Sequence, residues 1–272
     1  MNLLGICTWT LGIDEPEAMI SKARELGLDG IQFCGTPSQY DAHELRALAH
    51  AQGMQIFAID PFDCAPEDPT QATAEGAIAF YRQAIDFARD AGAPWVTLQG
   101  LSAWTQNCEN ENAAWERLVS CIRTLETYAT SQDIRLVYEV VNRYEVPMIR
   151  TFDECMRLLS DVGSSRIGIL LDSFHMNIDE TDPCAVIRRC GSRLASYHIS
   201  DSNRGGIGSG HIDYLAQHRA LQDIGFDGPV MVEIVLPHLT PTKTPRNSDE
   251  RSRLDEEIRR SVRIWRAMNG KH

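Results

Sequence analysis

The stretch RIGILLDSFHMNIDE, residues 166 to 180, is apolar over IGILL and then places Asp172 and His175 directly behind that run. An apolar run of this kind predicts a buried strand, but an acid at its end is costly to bury unless the carboxylate finds a partner. The stretch LASYHISDSNRGGIGSGHIDY, residues 194 to 214, repeats the pattern with His198 near the end of its apolar run. The possible roles of Asp172, His175 and His198 therefore depend on where the ends of these strands lie in the fold.

Short apolar runs rich in Val, Ile and Leu recur eight times along the chain. They are LLGICT (3–8), GIQF (30–33), MQIFAI (54–59), WVTL (95–98), IRLVYE (134–139), IGILLD (167–172), LASYHI (194–199) and VMVEIV (230–235). Hydrophobicity that is continuous rather than alternating is typical of parallel strands covered on both faces. The segments between them have the apolar spacing of amphipathic helices, and several end in the glycine signature of a helix C-cap, as in LGLDG, AQGM and DAGA.

Eight alternations of strand and helix in 272 residues predict a single (β/α)₈ TIM barrel that spans residues 1–272 as one domain. No Pro/Gly/Ser-rich linker or block of like charge divides the chain. A doubly wound open sheet is the alternative, but no G-x-G-x-x-G motif follows the first strand. In a barrel, the carboxyl ends of the strands and the loops after them form the active-site face. We therefore expect Asp172 and His198 to face one shared cavity.

Composition and charge exclude several classes of partner. The net charge is -12 and no basic cluster is present, which argues against nucleic acid, whose phosphates are bound by Lys and Arg. The eight cysteines are scattered without a C-x-x-C pair, so we expect reduced thiols rather than disulfides or a zinc site. The N-terminus lacks the features of a signal peptide, and no apolar stretch approaches the ~20 residues that span a bilayer. We expect a cytoplasmic protein that binds neither nucleic acid nor membranes.

Two further strands carry an acid near their carboxyl end. Each such acid taken alone has an ordinary interpretation as a helix N-cap or an ion-pair partner, and a lone histidine is usually a packed core group. Burying several of them in one place is different, because one shared cation would relieve their cost together. The four groups that predict such a metal site are Glu139, Asp172, His198 and Glu233. Three carboxylates and one imidazole suit a divalent metal, Mn²⁺ first, with Mg²⁺ or Co²⁺ as alternatives.

The segments around these residues resemble a known family. EVVNRYE (139–145), LLDSFHMNIDE (170–180), YHISDSNRGGIGSGHIDY (197–214) and VEIV (232–235) are similar to the four signature segments of the D-tagatose 3-epimerase and D-psicose (allulose) 3-epimerase group. That group lies within the xylose isomerase-like barrel superfamily. The resemblance implies a divalent metal held by the same four residues. It also implies substrate contacts from Glu145, His175 and Arg204, with Asn142, Asp201 and Asp213 orienting the site.

Each of the three implied substrate contacts also has an ordinary interpretation. Glu145 could be a solvated loop acid, His175 a cap on the next segment, and Arg204 a surface arginine in a glycine-rich loop. If they do contact the substrate, His175 and Arg204 would supply hydrogen-bond donors to sugar oxygens that develop negative charge.

Two glutamates beside a metal suggest a specific reaction. In a ketose whose C2 and C3 oxygens are chelated, the C3 proton becomes acidic and a cis-enediolate forms when it leaves. Glu139 and Glu233 belong to strands five and eight, so they approach the substrate from different sides of the barrel. One can remove the C3 proton from one face while the other returns a proton to the opposite face. This arrangement favours inversion at C3, because aldose–ketose isomerisation needs transfer on one face only.

Three functional hypotheses follow. The first is a metal-dependent ketose 3-epimerase acting on a small sugar. The second is a related enzyme, either a hydroxypyruvate-type isomerase, a keto-glycoside epimerase or an inosose or dehydroshikimate dehydratase. The third is a non-catalytic sugar-binding barrel, which the two costly glutamates argue against. A DNA-repair barrel is disfavoured by the acidic charge.

Substrate choice is expected to depend on the loops after strands three and four. There the segments IDPFDCAPEDP and LQGLSAWTQNCENEN depart from the resembling family, and we expect Asp60 and Trp104 to face the distal end of the substrate. Trp104 could instead pack at a subunit contact, since we expect a homodimer or homotetramer. The basic residues in the predicted loops are few, namely Arg143, Arg204 and Lys243, which favours an unphosphorylated sugar.

Overall fold

Eight parallel strands pair in chain order, and β1 also pairs with β8, so that the sheet closes into a barrel. The structure is a computed structural model that describes residues 2–61, 64–236, 239 and 245–270. The strands are β1 (Leu4–Cys7), β2 (Gly30–Cys34), β3 (Gln55–Asp60), β4 (Trp95–Thr97), β5 (Arg135–Val140), β6 (Gly168–Asp172), β7 (Leu194–Ile199) and β8 (Val230–Val232). The predicted (β/α)₈ barrel is therefore confirmed, and all eight predicted strands are present.

Helices follow the strands and pack around the outside of the barrel. They are α1 (Pro16–Glu25), α2 (Ala42–Ala51), α3 (Ala74–Ala91), α4 (Glu111–Ser131), α5 (Phe152–Val162), α6 (Ser173–Asp179), α7 (Pro183–Cys190), α8 (Tyr214–Asp223) and α9 (Ser248–Asn269). The predicted glycine stops are present: Gly92 ends α3 with φ of 75° and donates its N–H to Ala88 O. Within the described part of the chain, no helix has the length and apolar character needed to cross a membrane.

The inward-facing residues explain how a buried strand can end in an acid. Side chains two residues apart on a strand point to the same side of the sheet. Val137 and Leu170 form a small buried apolar cluster in the barrel, and the residues two positions further along are Glu139 and Asp172. The apolar residues therefore fill the lower part of the barrel, and the polar ones follow at the carboxyl ends of the same strands.

Strand eight is shorter than predicted. It ends at Val232, so Glu233 lies directly after the strand and not inside it, although its N–H still donates to Ile199 O at 3.1 Å. The chain then leaves the sheet, because Val235 N donates to the carbonyl of Arg204 at 2.8 Å. The segment after β8 thereby supports the loop that carries Arg204.

Replacing Gly30 by alanine is expected to destabilise the barrel. A Cβ at Gly30 would lie 2.4 Å from the backbone oxygen of Gln55 and 2.5 Å from the Phe57 ring. Since a backbone oxygen in a paired strand cannot move aside, the overpacking should cost about 1–3 kcal/mol of unfolding free energy. Urea unfolding followed by circular dichroism measures this. Gly270→Ala is the control, because its Cβ would meet nothing closer than 3.6 Å. Equal midpoints for the two variants would contradict the argument.

Candidate active site

The four strand-end residues lie together at the carboxyl end of the barrel. Each of them offers one ligand atom, and these atoms all lie within 4.8 Å of one another. Their side chains are almost completely removed from solvent, Asp172 and His198 at 0% exposure, Glu139 at 4% and Glu233 at 5%. The structure thus brings together the residues that four separate strands contribute.

The imidazole of His198 is oriented by a residue of β2. Its Nδ1 lies 3.5 Å from Glu139 Oε1 and 3.3 Å from Glu233 Oε2, while Nε2 lies 3.1 Å from Gln32 Oε1. Because the Gln32 amide nitrogen donates to Asp60, its oxygen is the atom that faces His198. The amide oxygen can only accept, so Nε2 carries the proton. Nδ1 is therefore left with its lone pair toward the carboxylates, as a ligand nitrogen requires.

Burial and mutual repulsion perturb the carboxylates. Burial, followed by the charge of Glu233, raises the pKa of Glu139 well above its usual value. Burial also raises the pKa of Asp172 to about 7, although Arg204 opposes the shift. For Glu233, burial acts to raise the pKa, but the charge of Arg204, together with contacts from His198 and Asp172, outweighs it and the pKa falls well below its usual value. Carboxylates crowded in this way gain from a nearby positive charge.

The donor set fits a divalent cation. Arg204 already supplies one positive charge, with Nη1 at 3.0 Å from Asp172 Oδ2 and Nη2 at 3.4 Å from Glu233 Oε2. When all three carboxylates are ionised, one guanidinium leaves two negative charges uncompensated, and a divalent cation would balance both. Three oxygens and one imidazole nitrogen are the ligands that hard or borderline divalent ions accept, so the four residues could hold one.

The residues implied as substrate contacts lie above this cluster. A cavity of about 360 Å³ is lined by Glu139 and Glu233 and also by Glu145, His175 and Arg204. That volume is typical of a small-molecule site. His175 Nε2 lies 3.9 Å from Glu139 Oε1, and burial lowers the pKa of its imidazole well below the usual value. Glu145 is exposed, and its Oε1 lies 3.9 Å from His175 Nδ1.

The expected orienting residues act in different places. Asn142 bridges two of the lining residues, since its Nδ2 lies 2.8 Å from Glu145 Oε1 and 2.7 Å from His175 Nδ1. Asp201 accepts the backbone N–H groups of Ser202, Gly208 and Ile212, so it shapes the loop on which Arg204 lies. Asp213 caps the start of α8 by accepting the N–H of Ala216.

Asp60 and Trp104 were both expected to face the distal end of the substrate, but the structure places them differently. Asp60 lines the cavity. Trp104 is 6% exposed, packs on Phe80 and donates its indole N–H to Cys64 Sγ at 3.4 Å. Arg143 pairs with Asp179 on the outside of the site. Lys243 lies outside the described residues.

Several residues of the site were not identified from the sequence. Gln32, Thr97 and Gln99 bond to Asp60, and the Trp9 indole N–H donates to Glu233 Oε1 at 3.1 Å. The available signal was weak: a single polar residue inside the apolar runs GIQF and WVTL. An isolated polar residue inside a buried strand needs a partner, but the sequence does not name it.

In this closed barrel of parallel strands, buried carboxylates lie at the carboxyl ends of the strands, beneath one cavity. That is the architecture of a (β/α)₈ enzyme. The chain belongs to the xylose isomerase-like TIM barrel family, whose model matches residues 20–267.

Proteins of similar sequence and structure indicate which kind of enzyme the chain is. The chain is 30% identical over 220 residues to a ketose 3-epimerase of Arthrobacter globiformis, covering 79% of this chain and 75% of the relative. It is 27% identical over 258 residues to an L-ribulose 3-epimerase of Mesorhizobium japonicum, covering 93% and 82%. The crystal structure of D-psicose 3-epimerase with D-tagatose from Clostridium cellulolyticum H10 superposes with a TM-score of 0.82 at 24% identity, over 98% of this chain and 99% of that one. The chain is therefore an enzyme of the isomerase and epimerase kind, and the family suggested by its signature segments is confirmed.

Proposed function

We propose that this enzyme is a divalent-metal-dependent ketose 3-epimerase that inverts C3 through a cis-enediolate, with Glu139 and Glu233 as the acid and base. The observation that carries the proposal is the position of these two carboxylates. They come from β5 and from the end of β8, and both line the same cavity. The relatives that are ketose 3-epimerases and L-ribulose 3-epimerases support the same reaction.

The two glutamates perform the proton transfers. One carboxylate removes the proton from C3 on its own face of the substrate, and the protonated carboxyl on the other side returns a proton to the opposite face. Reversing the two roles runs the reaction in the other direction. Burial of both side chains keeps water from competing for the proton.

The proposed metal residues are Glu139, Asp172, His198 and Glu233, and Mn²⁺ is the ion we favour. When bound, such an ion supplies the Lewis acidity that makes the C3 proton removable and stabilises the enediolate. Gln32 holds His198 in the tautomer that a ligand requires. Asp172 also caps α6 through the N–H of Phe174, which fixes the position of its carboxylate.

Glu145, His175 and Arg204 are proposed to hold the substrate oxygens near C1 to C3. The Arg204 guanidinium and a protonated ring nitrogen of His175 supply donors where negative charge develops. Arg204 is stacked over the Phe174 ring, with Cζ 4.5 Å from the ring centroid, so its guanidinium is held in a defined orientation.

Incubation of the Mn²⁺-loaded protein with a panel of free ketoses and keto-glycosides tests the function. We expect chromatography to detect the C3 epimer of at least one ketose, with no aldose formed. A protein that produced only aldoses, or that inverted only a keto-glycoside at C4, would instead support one of the related enzymes.

A further inference from the structure

The wall of the cavity that β3 and β4 contribute has polar groups of its own. Asp60 ends β3, and Gln99 follows β4 at the start of a short 3₁₀ segment. Both line the same cavity as Glu139 and Glu233. In the closed strand order β3 and β4 lie half a turn of the barrel from β7 and β8, which lead to Arg204 and Glu233, while β5 with Glu139 lies next to β4. A sugar whose C1 to C3 oxygens are held by Glu145, His175 and Arg204 therefore extends its other end toward Asp60 and Gln99, which line the same cavity.

The Asp60 carboxylate is held in place by donors from neighbouring strands. Thr97 Oγ1 donates to Oδ1 at 2.7 Å, Gln99 Nε2 donates to the same oxygen at 2.9 Å, and Gln32 Nε2 donates to Oδ2 at 3.1 Å. Asp60 is 2% exposed. With a weaker fourth donor, Cys34 Sγ at 3.7 Å from Oδ2, these bonds hold the carboxyl group in one orientation, so it is a fixed acceptor.

Gln99 is left with an unused acceptor. Its amide nitrogen faces the Asp60 carboxylate, and the opposite amide orientation would bring two acceptors together. The orientation of the amide is therefore fixed. Among the described residues, Gln99 Oε1 has no hydrogen-bond partner. A buried carbonyl oxygen without a donor is unfavourable, and a ligand that brings an O–H removes the deficit.

The charge of this wall selects against anions. Apart from Arg204, which is engaged with Asp172 and Glu233, the described residues that line the cavity include no Lys or Arg. A phosphate or carboxylate at the distal end of the substrate would meet the acceptor oxygens of Asp60 and Gln99, and the lining residues that the structure describes offer no unengaged cation to balance it. A neutral hydroxyl group is the ligand that suits these acceptors.

We propose that Asp60 and Gln99 form a distal subsite that recognises a hydroxyl group at the far end of the sugar and so determines which ketoses are accepted. This inference rests on the proposed function, because it takes the reacting carbons to lie beside Glu139 and Glu233. Gln99 accepts the sugar O–H, while Asp60 fixes the Gln99 amide and sets the negative charge of the wall.

Specificity constants for one ketohexose and its 4-, 5- and 6-deoxy counterparts test the subsite. We expect the wild-type enzyme to have a kcat/KM about 10- to 100-fold lower for one of the deoxy sugars, since a buried acceptor is then left unpaired. In Gln99→Leu and in Asp60→Asn that ratio should fall toward one, with kcat/KM for the deoxy sugar changed only a few-fold. A merely structural defect would instead lower kcat/KM for both sugars alike.

Gln106→Leu is the matched control, because Gln106 is exposed and its side chain, among the described residues, bonds to the carbonyl of Pro66 through Nε2. It should keep the wild-type ratio. Equal kcat/KM for the parent sugar and all three deoxy sugars in the wild type would overturn the subsite while leaving the epimerase function intact, as would an unchanged ratio in Gln99→Leu. If neither the wild type nor the control epimerises any ketose, the proposed function fails and the subsite assignment fails with it.

Discussion

Chelation of the purified enzyme with EDTA is expected to abolish epimerisation, and added Mn²⁺ or Co²⁺ is expected to restore it. Removal of an unactivated C3 proton by a carboxylate is too slow without a Lewis acid on the neighbouring oxygens. The structure adds a second reason, since burial and the neighbouring carboxylates raise the pKa of Glu139 and of Asp172 and so disfavour their ionised state when no cation is bound. Full activity in a sample that elemental analysis finds free of metal would overturn the assignment.

Single substitutions of the proposed ligands test which residues bind the metal ion. Asp172→Ala and His198→Ala should each lose bound metal, measured by elemental analysis after dialysis, together with the activity. Asp179→Ala and His218→Ala are matched controls, because both side chains are buried but lie outside the cluster, Asp179 on Arg143 and His218 on Asn269. The controls should keep a stoichiometric ion. Metal retained at full occupancy in Asp172→Ala or His198→Ala would remove that residue from the ligand set.

The fold could be predicted because its signals are local and repeated. Eight continuous apolar runs and glycine-terminated helices each follow from the sequence around them, and the barrel follows from their alternation. Strand ends were harder to predict. Glu233 was expected inside β8, but the strand ends at Val232: the Glu233 N–H still donates to Ile199 O of β7, and the Val235 N–H already bonds to the carbonyl of Arg204 in the preceding loop. Such a bond depends on a loop about thirty residues earlier in the chain, which no local pattern reports.

The same distinction between local signals and long-range contacts applies to the residues of the candidate site. Glu139, Asp172, His198 and Glu233 could be identified because an acid or histidine at the end of an apolar run is unusual in itself. Gln32 and Gln99 could not, because an isolated polar residue in the run GIQF does not name its partner and Gln99 lies outside the predicted run WVTL. Their importance comes from closure of the barrel, which brings β2, β3 and β4 around one carboxylate. Asp60 alone gave a signal, as an acid at the end of β3.

Glu139→Gln and Glu233→Gln are each expected to lower turnover by about 10²- to 10⁴-fold, because each removes a positioned acid or base. Both residues are also proposed metal ligands, so the metal content of each variant must be measured alongside the rate. Glu154→Gln is the control, since Glu154 pairs with Arg150 at the surface. It should keep both the wild-type rate and the wild-type metal content.

Solvent deuterium separates the two possible reactions. If Glu139 and Glu233 act on opposite faces of C3, the epimer formed in D₂O carries deuterium at C3. A variant that keeps its metal and one working glutamate should still exchange the C3 proton of one epimer without converting it to the other. That partial reaction identifies which face each carboxylate serves, and a single shared base cannot produce it. An aldose–ketose isomerase would instead place deuterium at C1 or C2. Label confined to those carbons across the ketose panel would exclude C3 epimerisation, even though the carboxylates of Glu139 and Glu233 line one cavity.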